Sequence, residues 1–344
     1  MAGGELVASG EPVAADGTGG TASAGGGTSA GGDASAGGGA TDTLRATRRP
    51  PTATEVKVNV SIPSAADRAA ATGADGVGLL RLEHILLSLG ETPREYVTNH
   101  GEEAFVERVA EEVRTVAEAF YPRPVRARTL DAPTDELAEL EGGEREPAEH
   151  NPMLGWRGVR RSLDESDLVR LELRAFERVQ SMGYDNLEVM FPLPNDPWEV
   201  AAMRDLLADV GIDPATRPWG TMIETPASVR QIDSIIDTGI DFVALGTNDL
   251  VQYVLAVDRN NGNVADRFEE LHPAVLEAMG EVIEACNARG VDTTITGQAG
   301  SKPAMARFLV ENGITSLSAN IDAVGDVRDV VARVEQRLTL DRVR

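Results

Sequence analysis

The sequence predicts a (β/α)₈ TIM barrel, and three observations support this fold class. From about residue 54, strand-like and helix-like segments alternate to the end of the chain. Eight such strands fit within roughly 290 residues, which is an ordinary length for this fold. Polar residues recur at the carboxyl ends of the strands, and in a barrel those ends converge on one mouth. A doubly wound open sheet is the alternative, and the recurring polar strand ends favour the barrel.

The predicted strands are short apolar or alternating runs, and the first of them, Val56–Val60, alternates as a half-buried strand does. The eight strands are predicted at 56–60, 76–80, 125–130, 187–191, 219–223, 242–245, 292–296 and 315–318. Helices are predicted at 65–72, 101–120, 166–182, 198–208, 226–236, 273–288, 303–311 and 326–338. A polar insertion at 131–150 separates the third strand from the next helix.

The first 50 residues differ in composition from the rest of the chain. They are mainly Gly, Ala, Ser and Thr with scattered acids. Such a segment cannot bury enough apolar surface to offset the entropy of ordering, so residues 1–50 are predicted to be a disordered tail. Residues 51–344 are predicted to form the barrel domain.

Composition also restricts the compartment. The chain has one cysteine, so it cannot form an internal disulfide, and this fits a reducing compartment. It has no run of eighteen apolar residues and no start that resembles a signal peptide. We therefore expect a cytoplasmic protein without a membrane span.

The formal net charge is −24. Such a negative field makes nucleic acids and anionic membrane surfaces unfavourable partners. We interpret the charge as a solvation feature of the kind found in proteins of salt-loving, halophilic cells. An anionic substrate would then need a local cluster of arginines to overcome the general repulsion.

Two carboxylates at the ends of successive strands suggest a metal site. The run Phe242–Leu245 leads into a Gly246-Thr-Asn-Asp249 turn, and the preceding strand ends at Glu224. Carboxylate oxygens on separate strand tips suit Mg²⁺, which combines one or two carboxylates with water and substrate oxygens.

Four arginines are expected near these carboxylates: Arg81 and Arg128 at strand ends, and Arg157 and Arg259 in loops. Arginine binds carboxylate and phosphate oxygens in pairs through its planar guanidinium group. Arginines and carboxylates at one mouth are electrostatically coherent if an anion and a cation bind together. The predicted ligand is therefore a small phosphate- or carboxylate-bearing anion chelated to Mg²⁺.

Several segments resemble the signature segments of the phosphoenolpyruvate-utilising enzymes, and the resemblance is strongest to the phosphoenolpyruvate synthases. It covers the chain from about Thr52 to the C-terminus and concerns the phosphoenolpyruvate/pyruvate-binding barrel of that family. The segments are Gly73-Ala-Asp-Gly-Val-Gly-Leu-Leu-Arg-Leu-Glu83, Arg128-Thr-Leu-Asp131, Glu141-Gly-Gly143, Asn151-Pro-Met-Leu-Gly-Trp-Arg-Gly158, Met222-Ile-Glu-Thr-Pro226, Gly246-Thr-Asn-Asp-Leu-Val-Gln-Tyr253 and Ala256-Val-Asp-Arg259.

The resemblance implies roles for particular residues. Glu224 and Asp249 match the Mg²⁺ ligands of the family. The residues that match its phosphoryl- and substrate-binding positions are Arg81, Arg128, Arg157, Gly246, Thr247, Asn248 and Arg259. The implied ligand is phosphoenolpyruvate or pyruvate, whose enolpyruvate charge the metal and the arginines would stabilise. The resemblance also implies a homodimer.

One departure from the family concerns proton transfer. In the family, a cysteine of a Cys-Gly-Gln or Cys-Gly-Glu segment exchanges the proton at carbon, whereas this chain has Thr296 at that position. A hydroxyl is a far weaker acid than a thiol, so a catalytic role for Thr296 is doubtful. The lone Cys286 falls in line with Met279 and Val282 on a predicted helix, which predicts a packing role.

A second departure concerns the phosphohistidine and ATP-grasp domains that the family's synthases carry. None of the four histidines (His84, His100, His150 and His272) lies in a phosphohistidine context, and no glycine-rich nucleotide loop is visible. If the chain is an enzyme, we therefore expect phosphoryl transfer only with a phosphohistidine domain on another chain.

Two other functions fit the same residues. The first is a non-catalytic protein that senses phosphoenolpyruvate or pyruvate, which the loss of the acid favours. The second is a lyase or aldolase that uses a Mg²⁺-enolate site, because a reaction with a carbon electrophile needs no cysteine proton.

Overall fold

The computed structural model describes residues 50–344. Eight parallel strands form a closed barrel in chain order, because β8 pairs with β1. The predicted TIM barrel is therefore confirmed. The disorder predicted for the tail falls on residues 1–49, outside the described part, and the domain boundary after residue 50 stays a prediction. The strands are β1 Glu55–Val60, β2 Val77–Arg81, β3 Val125–Arg128, β4 Leu187–Phe191, β5 Trp219–Ile223, β6 Phe242–Gly246, β7 Asp292–Thr296 and β8 Ser316–Ala319.

Helices surround this barrel and connect its strands, as expected for parallel strands that need crossover connections. The α-helices are α1 Ala66–Ala71, α2 Leu82–Leu87, α3 Pro93–His100, α4 Glu102–Phe120, α5 Thr134–Leu137, α6 Gly158–Asp164, α7 Ser166–Ser181, α8 Pro197–Asp209, α9 Pro226–Arg230, α10 Ile232–Ile236, α11 Thr247–Leu255, α12 Pro273–Arg289, α13 Pro303–Glu311 and α14 Val324–Val343.

The third strand is shorter than predicted, and the reason lies in its hydrogen bonds. The backbone N–H of Thr129 still donates to the carbonyl of Met190 on β4, at 3.1 Å. The next N–H, that of Leu130, instead donates to the Glu172 carboxylate of α7, at 3.0 Å. This buried side chain replaces the next rung of the ladder, so the strand ends at Arg128 rather than Leu130.

Five helices of the described residues were not predicted: α2, α3, α5, α6 and α11. They contain nine residues or fewer, so each gives too short a periodic pattern to recognise. One predicted helix, at 226–236, consists of two helices that meet at Gln231. The Gln231 amide donates to the backbone of Asn195 and the carboxylate of Asp196, which ties this break to the preceding loop.

The hydrophobic core has two parts. The larger part lies between the strands and the helices and includes Val56, Val58 and Val60 on the outward face of β1. A smaller cluster consists of Leu79, Met190, Met222, Phe242 and Ala244. Two of its members, Leu79 and Met222, line the cavity at the carboxyl ends of the strands. The small cluster therefore forms the floor of that cavity.

Charged side chains surround Phe242 near the amino-terminal ends of the strands. The Arg126 guanidinium lies 3.8 Å from the Phe242 ring centroid and donates to Glu188 at 2.8 Å. Lys57 is also buried, and its ammonium lies 3.1 Å from Glu55. Burial of charges is tolerated here because each has an opposite charge or an aromatic face beside it.

Within residues 50–344, no helix combines the length and the apolar character that a membrane span requires.

Candidate active site

One cavity, which we call the mouth cavity, contains all the residues that the sequence assigned to the site. It has a volume of about 140 Å³, enough for roughly ten water molecules at about 10–15 Å³ each. A three-carbon ligand and its hydration fit such a space. The predicted residues that line it are Arg81, Arg128, Arg157, Glu224, Gly246, Thr247, Asn248, Asp249, Arg259 and Thr296.

Three buried carboxylates form the acidic part of the mouth cavity. Asp131, Glu224 and Asp249 each offer an oxygen, and these oxygens all lie within 4.8 Å of one another. Glu224 follows β5, Asp249 lies in the first turn of α11, and Asp131 lies three residues after β3. Three carboxylate oxygens this close suit a hard divalent cation that prefers oxygen ligands.

The pKa of Glu224 supports a cation at this place. Burial raises it first, and the neighbouring charges of Asp249 and Asp131 raise it further, to about 8. Arg128 and Arg157 lower it in part, but the ionised carboxylate stays disfavoured without a further positive charge beside it. A divalent cation between the three oxygens would remove that repulsion, so this donor set fits a metal such as Mg²⁺.

Gly246 makes room for the Glu224 carboxylate. A Cβ atom on Gly246 would lie 2.1 Å from Oε1 of Glu224, which no side chain can tolerate. The other oxygen of Glu224 accepts the backbone N–H of Leu193 at 3.0 Å. Leu193 has a positive φ of 59°, an uncommon conformation for a non-glycine residue. Both neighbours thus fix the position of the carboxylate.

Arg157 lies across two of the three acids. Its guanidinium donates to Asp131 through Nε and Nη2, both at 2.8 Å, and contacts Asp249 at 3.3 Å. Although burial alone would raise the pKa of Asp131, the Arg157 and Arg128 charges lower it. The guanidinium thus keeps Asp131 ionised and offsets part of the negative charge of the acidic part.

Arg128 is held in a similar way. Its guanidinium forms an ion pair with Glu83 and another with Asp131, the latter at 2.8 Å. Burial opposes the charge, but Glu83 and Asp131 raise the pKa of Arg128 above its usual range. Arg128 therefore presents a permanent, immobilised positive charge to the mouth cavity.

Arg81 and Arg259 differ from these two arginines. Neither side chain has a hydrogen bond or an ion pair within the described residues, and the buried Nε of Arg81 has no partner. Burial lowers the pKa of Arg81, and the nearby positive charges of Arg128 and Arg259 lower it further. Glu83 and Asp131 offset part of this effect. Two neighbouring cations that form no direct ion pair within residues 50–344 are the part of the mouth cavity that is ready to receive an anion.

Thr296 has its hydroxyl occupied. The side chain is buried, and its Oγ1 donates to the carbonyl of Leu245 at 3.2 Å. Its carbonyl accepts the hydroxyl of Thr247 at 3.0 Å. Gly297 follows with φ of 98°, and a Cβ there would lie 2.7 Å from the Thr247 hydroxyl. The segment is therefore tightly packed, and Thr296 has no hydroxyl proton free for a ligand.

The loop between β3 and α6 carries Arg157 and is tied down by Glu149. The Glu149 carboxylate accepts the backbone N–H of Trp156 at 3.0 Å and the hydroxyl of Thr134 at 2.8 Å. It also fills the space beside Gly155, where a Cβ would lie 2.2 Å from Oε1. These contacts position the residue immediately before Arg157.

Asp131 and Glu83 were missing from the predicted site. Asp131 was assigned to the polar insertion because the third strand was expected to run to Leu130. Its spacing of three residues after Arg128 at a strand end was the signal that could have identified it. Glu83 lies two residues after Arg81, inside a segment that the sequence had already marked.

Cys286 has the predicted structural role. It is buried on α12 among Val275, Met279, Val282 and Ile283. Burial raises the pKa of its thiol to about 12, so it is not a reactive thiolate.

Comparison with known proteins agrees with this geometry. The family model of the PEP-utilising enzymes, PEP-binding domain, matches residues 35–336. The probable phosphoenolpyruvate synthase of Methanocaldococcus jannaschii is 56% identical over 294 residues, which are 85% of this chain and 25% of that protein. The phosphoenolpyruvate synthase of Pyrococcus furiosus is 54% identical over 288 residues, 83% of this chain and 35% of that protein.

Two limits accompany these similarities. The chain spans only about a quarter to a third of the length of these relatives. A solved HpcH/HpaI aldolase/citrate lyase family protein from Burkholderia cenocepacia is 20% identical, with a TM-score of 0.48, over 87% of this chain and 99% of that one. These two values are too low to assign an activity.

The family match, the close relatives and the shared signature segments agree, and the chain belongs to the PEP-utilising enzymes, as a PEP-binding domain of the phosphoenolpyruvate synthase type.

Proposed function

We propose that the barrel binds phosphoenolpyruvate or pyruvate together with Mg²⁺ and acts as the phosphoenolpyruvate end of a phosphoryl transfer with a phosphohistidine domain. The observation that carries the proposal is the division of charge in the mouth cavity. Three carboxylates within 4.8 Å of one another suit the cation, and the unpaired Arg81 and Arg259 suit the anion. Two relatives are named as phosphoenolpyruvate synthases, and this supports the same ligand.

Each part of the mouth cavity then has a defined task. Asp131, Glu224 and Asp249 would hold Mg²⁺, which supplies positive charge next to the substrate oxygens. Arg81 and Arg259 would bind the phosphoryl or carboxylate oxygens. Arg128, already fixed by its ion pairs, would stabilise charge on the enolpyruvate oxygen without having to reorganise.

The first test is ligand-dependent thermal stability in high salt, with oxalate and phosphoenolpyruvate as ligands. At a ligand concentration a hundred times Kd, binding adds about 2.7 kcal/mol to the unfolding free energy. This corresponds to a rise in Tm of about 5 °C. We expect this rise with Mg²⁺ and its loss with EDTA, in Glu224→Gln and in Arg81→Met. Arg170→Met, which removes a surface partner of Asp209, is the control that should keep it. No shift with any ligand would refute the proposal.

The second test is phosphoryl transfer. The protein, Mg²⁺ and phosphoenolpyruvate are incubated with a separately supplied phosphohistidine domain of a phosphoenolpyruvate synthase. Phosphorus NMR should show phosphohistidine and proton NMR an equal amount of pyruvate, with neither formed when Glu224→Gln replaces the protein. Absence of transfer from a protein that binds the ligand would contradict the transfer role.

A non-catalytic sensing protein is the second candidate, and Thr296 is the observation that favours it. Its hydroxyl already donates to Leu245 and is a poor acid, so the residue cannot deliver a proton to carbon. In that case binding would occur without phosphoryl transfer and without proton exchange at the methyl group of pyruvate.

A further inference from the structure

Conversion between enolpyruvate and pyruvate requires a proton at C3, and this inference rests on the proposed function. A proton must reach C3 when enolpyruvate becomes pyruvate, and must leave C3 in the reverse direction. Efficient transfer requires a side chain whose pKa is near the working pH, within reach of the ligand. The hydroxyl of Thr296 lines the cavity but fails the first condition, because a hydroxyl is a far weaker acid, and its proton is already donated to the Leu245 carbonyl.

Besides Arg81 and Arg259, two titratable side chains of the described residues line the mouth cavity with no partner. Within residues 50–344, the side chains of His84 and Glu136 line this cavity without a hydrogen bond or an ion pair. The three acids of the metal site, in contrast, are engaged with Arg157, with Arg128 or with the Leu193 backbone. His84 and Glu136 are therefore the candidates for proton transfer.

We propose that His84 is the proton-transfer residue of this site. It lies in the first turn of α2, three residues after Arg81, and both side chains line the mouth cavity where the anion would bind. In the direction of pyruvate enolisation, a ring nitrogen of His84 takes a proton from C3. The C3–H electron pair becomes the C2=C3 double bond, and the carbonyl electrons move to the oxygen. In the opposite direction, the same nitrogen returns the proton to C3.

The charges around His84 are compatible with this role. His84 is an exposed side chain, and its partial desolvation lowers its pKa; the neighbouring Glu83 raises this pKa, and Arg81 and Arg128 lower it. The imidazole is therefore neutral near pH 7 and can accept a proton. An anion bound to Arg81 offsets the positive charges that lower this pKa, so binding should raise it. Burial raises the pKa of Glu136 and the charge of Asp135 raises it further, while Arg157 lowers it, so both side chains can exchange a proton. His84 is chosen because it lies three residues after Arg81, whereas Glu136 lies on α5.

The deciding experiment follows exchange of the methyl protons of pyruvate in D₂O, with Mg²⁺ and a separately supplied phosphohistidine domain. His84→Gln should slow exchange at least a hundredfold, the size expected for loss of general acid–base catalysis. Oxalate with Mg²⁺ should still stabilise the same variant, and its Kd should stay within a few-fold of the value for the unmodified protein. His150→Gln is the matched control, because His150 lines the adjacent groove rather than the mouth cavity. Free imidazole should partly restore exchange to His84→Ala.

Imidazole NMR gives a readout independent of turnover. The chain contains only four histidines, so the His84 signal can be assigned by comparison with His84→Gln. Its pKa should rise when Mg²⁺ and oxalate are added.

The outcomes separate this inference from the proposed function. If the unmodified protein binds oxalate but shows no exchange, or if His84→Gln exchanges at the unmodified rate, the role of His84 is refuted while the binding function stands. Loss of exchange in Glu136→Gln but not in His84→Gln would refute it as well. Failure of the unmodified protein to bind oxalate refutes the proposed function itself.

Discussion

At the scale of single residues, Gly246 shows how a missing side chain creates a ligand site. Its φ of −87° is accessible to any residue, so backbone conformation does not require glycine here. The requirement is steric, because a Cβ would lie 2.1 Å from the Glu224 carboxylate. The same residue that ends β6 therefore sets the position of a carboxylate on the end of β5.

Gly246→Ala should therefore remove metal-dependent binding and leave the fold intact. The methyl group must displace Glu224, at a cost of about 1–3 kcal/mol in unfolding free energy for overpacking. Calorimetric titration of oxalate with Mg²⁺ should show at least a tenfold weaker Kd. Gly280→Ala is the control, because a Cβ there meets nothing within 4 Å, and it should bind normally. Unchanged binding by Gly246→Ala would show that Glu224 does not take part.

Glu172 gives a pH dependence at the residue scale. It is buried, accepts the Leu130 N–H, and burial raises its pKa to about 8. A carboxyl whose pKa is raised by folding stabilises the folded state fully at pH values below its pKa in the unfolded state, which is near 4.5. This contribution is lost as pH rises through about 8, the pKa in the folded state. The unfolding free energy should therefore fall across this window.

Glu172→Gln tests this assignment, because the amide keeps a hydrogen-bond acceptor and never ionises. The unfolding free energy of the variant minus that of the unmodified protein should increase by about 3 kcal/mol from pH 5.5 to pH 8.5. Urea unfolding at constant salt measures both. Subtraction of the two curves cancels the contribution of Glu224. A difference that stays constant with pH would contradict the raised pKa of Glu172.

At the scale of structural elements, the loop between β3 and α6 determines where Arg157 lies. Glu149 holds the loop through Thr134 and the backbone of Trp156. Arg160 strengthens it by donating to the carbonyls of Leu154 and Gly155. The loop thus acts as a rigid support for a guanidinium that contacts two acids of the metal site.

Glu149→Ala should loosen this loop. Its two hydrogen bonds contribute about 1–2 kcal/mol to holding Arg157 in place. Without them the Kd for phosphoenolpyruvate with Mg²⁺ should rise about tenfold. Limited proteolysis should cleave within residues 143–157 faster than in the unmodified protein. Glu144→Ala, an exposed acid of the same loop, should change neither property. Equal behaviour of the two variants would contradict the role of Glu149.

The elements also show what the sequence could and could not predict. The eight strands were recognisable because short apolar runs end in polar residues, and the cavity residues followed from those strand ends. The distinction between paired and unpaired arginines was not recognisable. It depends on Asp131, three residues after Arg128, and on Glu83, which contacts Arg128 only after β2 and β3 lie side by side. The α6 helix was missed because seven residues give too little periodicity.

At the scale of the whole molecule, the net charge of −24 dominates the behaviour in solution. All positive side chains except Lys57 and Lys302 are arginines, and many form surface ion pairs, such as Arg94 with Asp167 and Arg289 with Asp237. Such pairs contribute about 0–1 kcal/mol each, whereas the excess acids repel one another throughout the surface. The predicted adaptation to high salt follows from this excess. The homodimer stays a prediction, which light scattering can test.

Added salt should stabilise the protein. Raising KCl from 0.1 to 1 M shortens the Debye length from about 10 to about 3 Å, which screens repulsion among the excess acids. Tm should increase by several degrees over this range, measured by circular dichroism. Sucrose at equal osmolality serves as the uncharged control and should raise Tm less. A Tm that falls with KCl would mean that the attractive surface pairs outweigh the repulsion.

The central claim is that the carboxylates and the unpaired arginines form one site in which cation and anion support each other. Calorimetry should measure the Kd of phosphoenolpyruvate with and without Mg²⁺, and the Kd of Mg²⁺ with and without phosphoenolpyruvate. The account predicts that each ligand tightens the other by the same factor, about 5- to 150-fold, as linkage requires. This coupling should disappear in Glu224→Gln and in Arg81→Met. Independent binding of the two ligands, or coupling that survives both substitutions, would contradict the account.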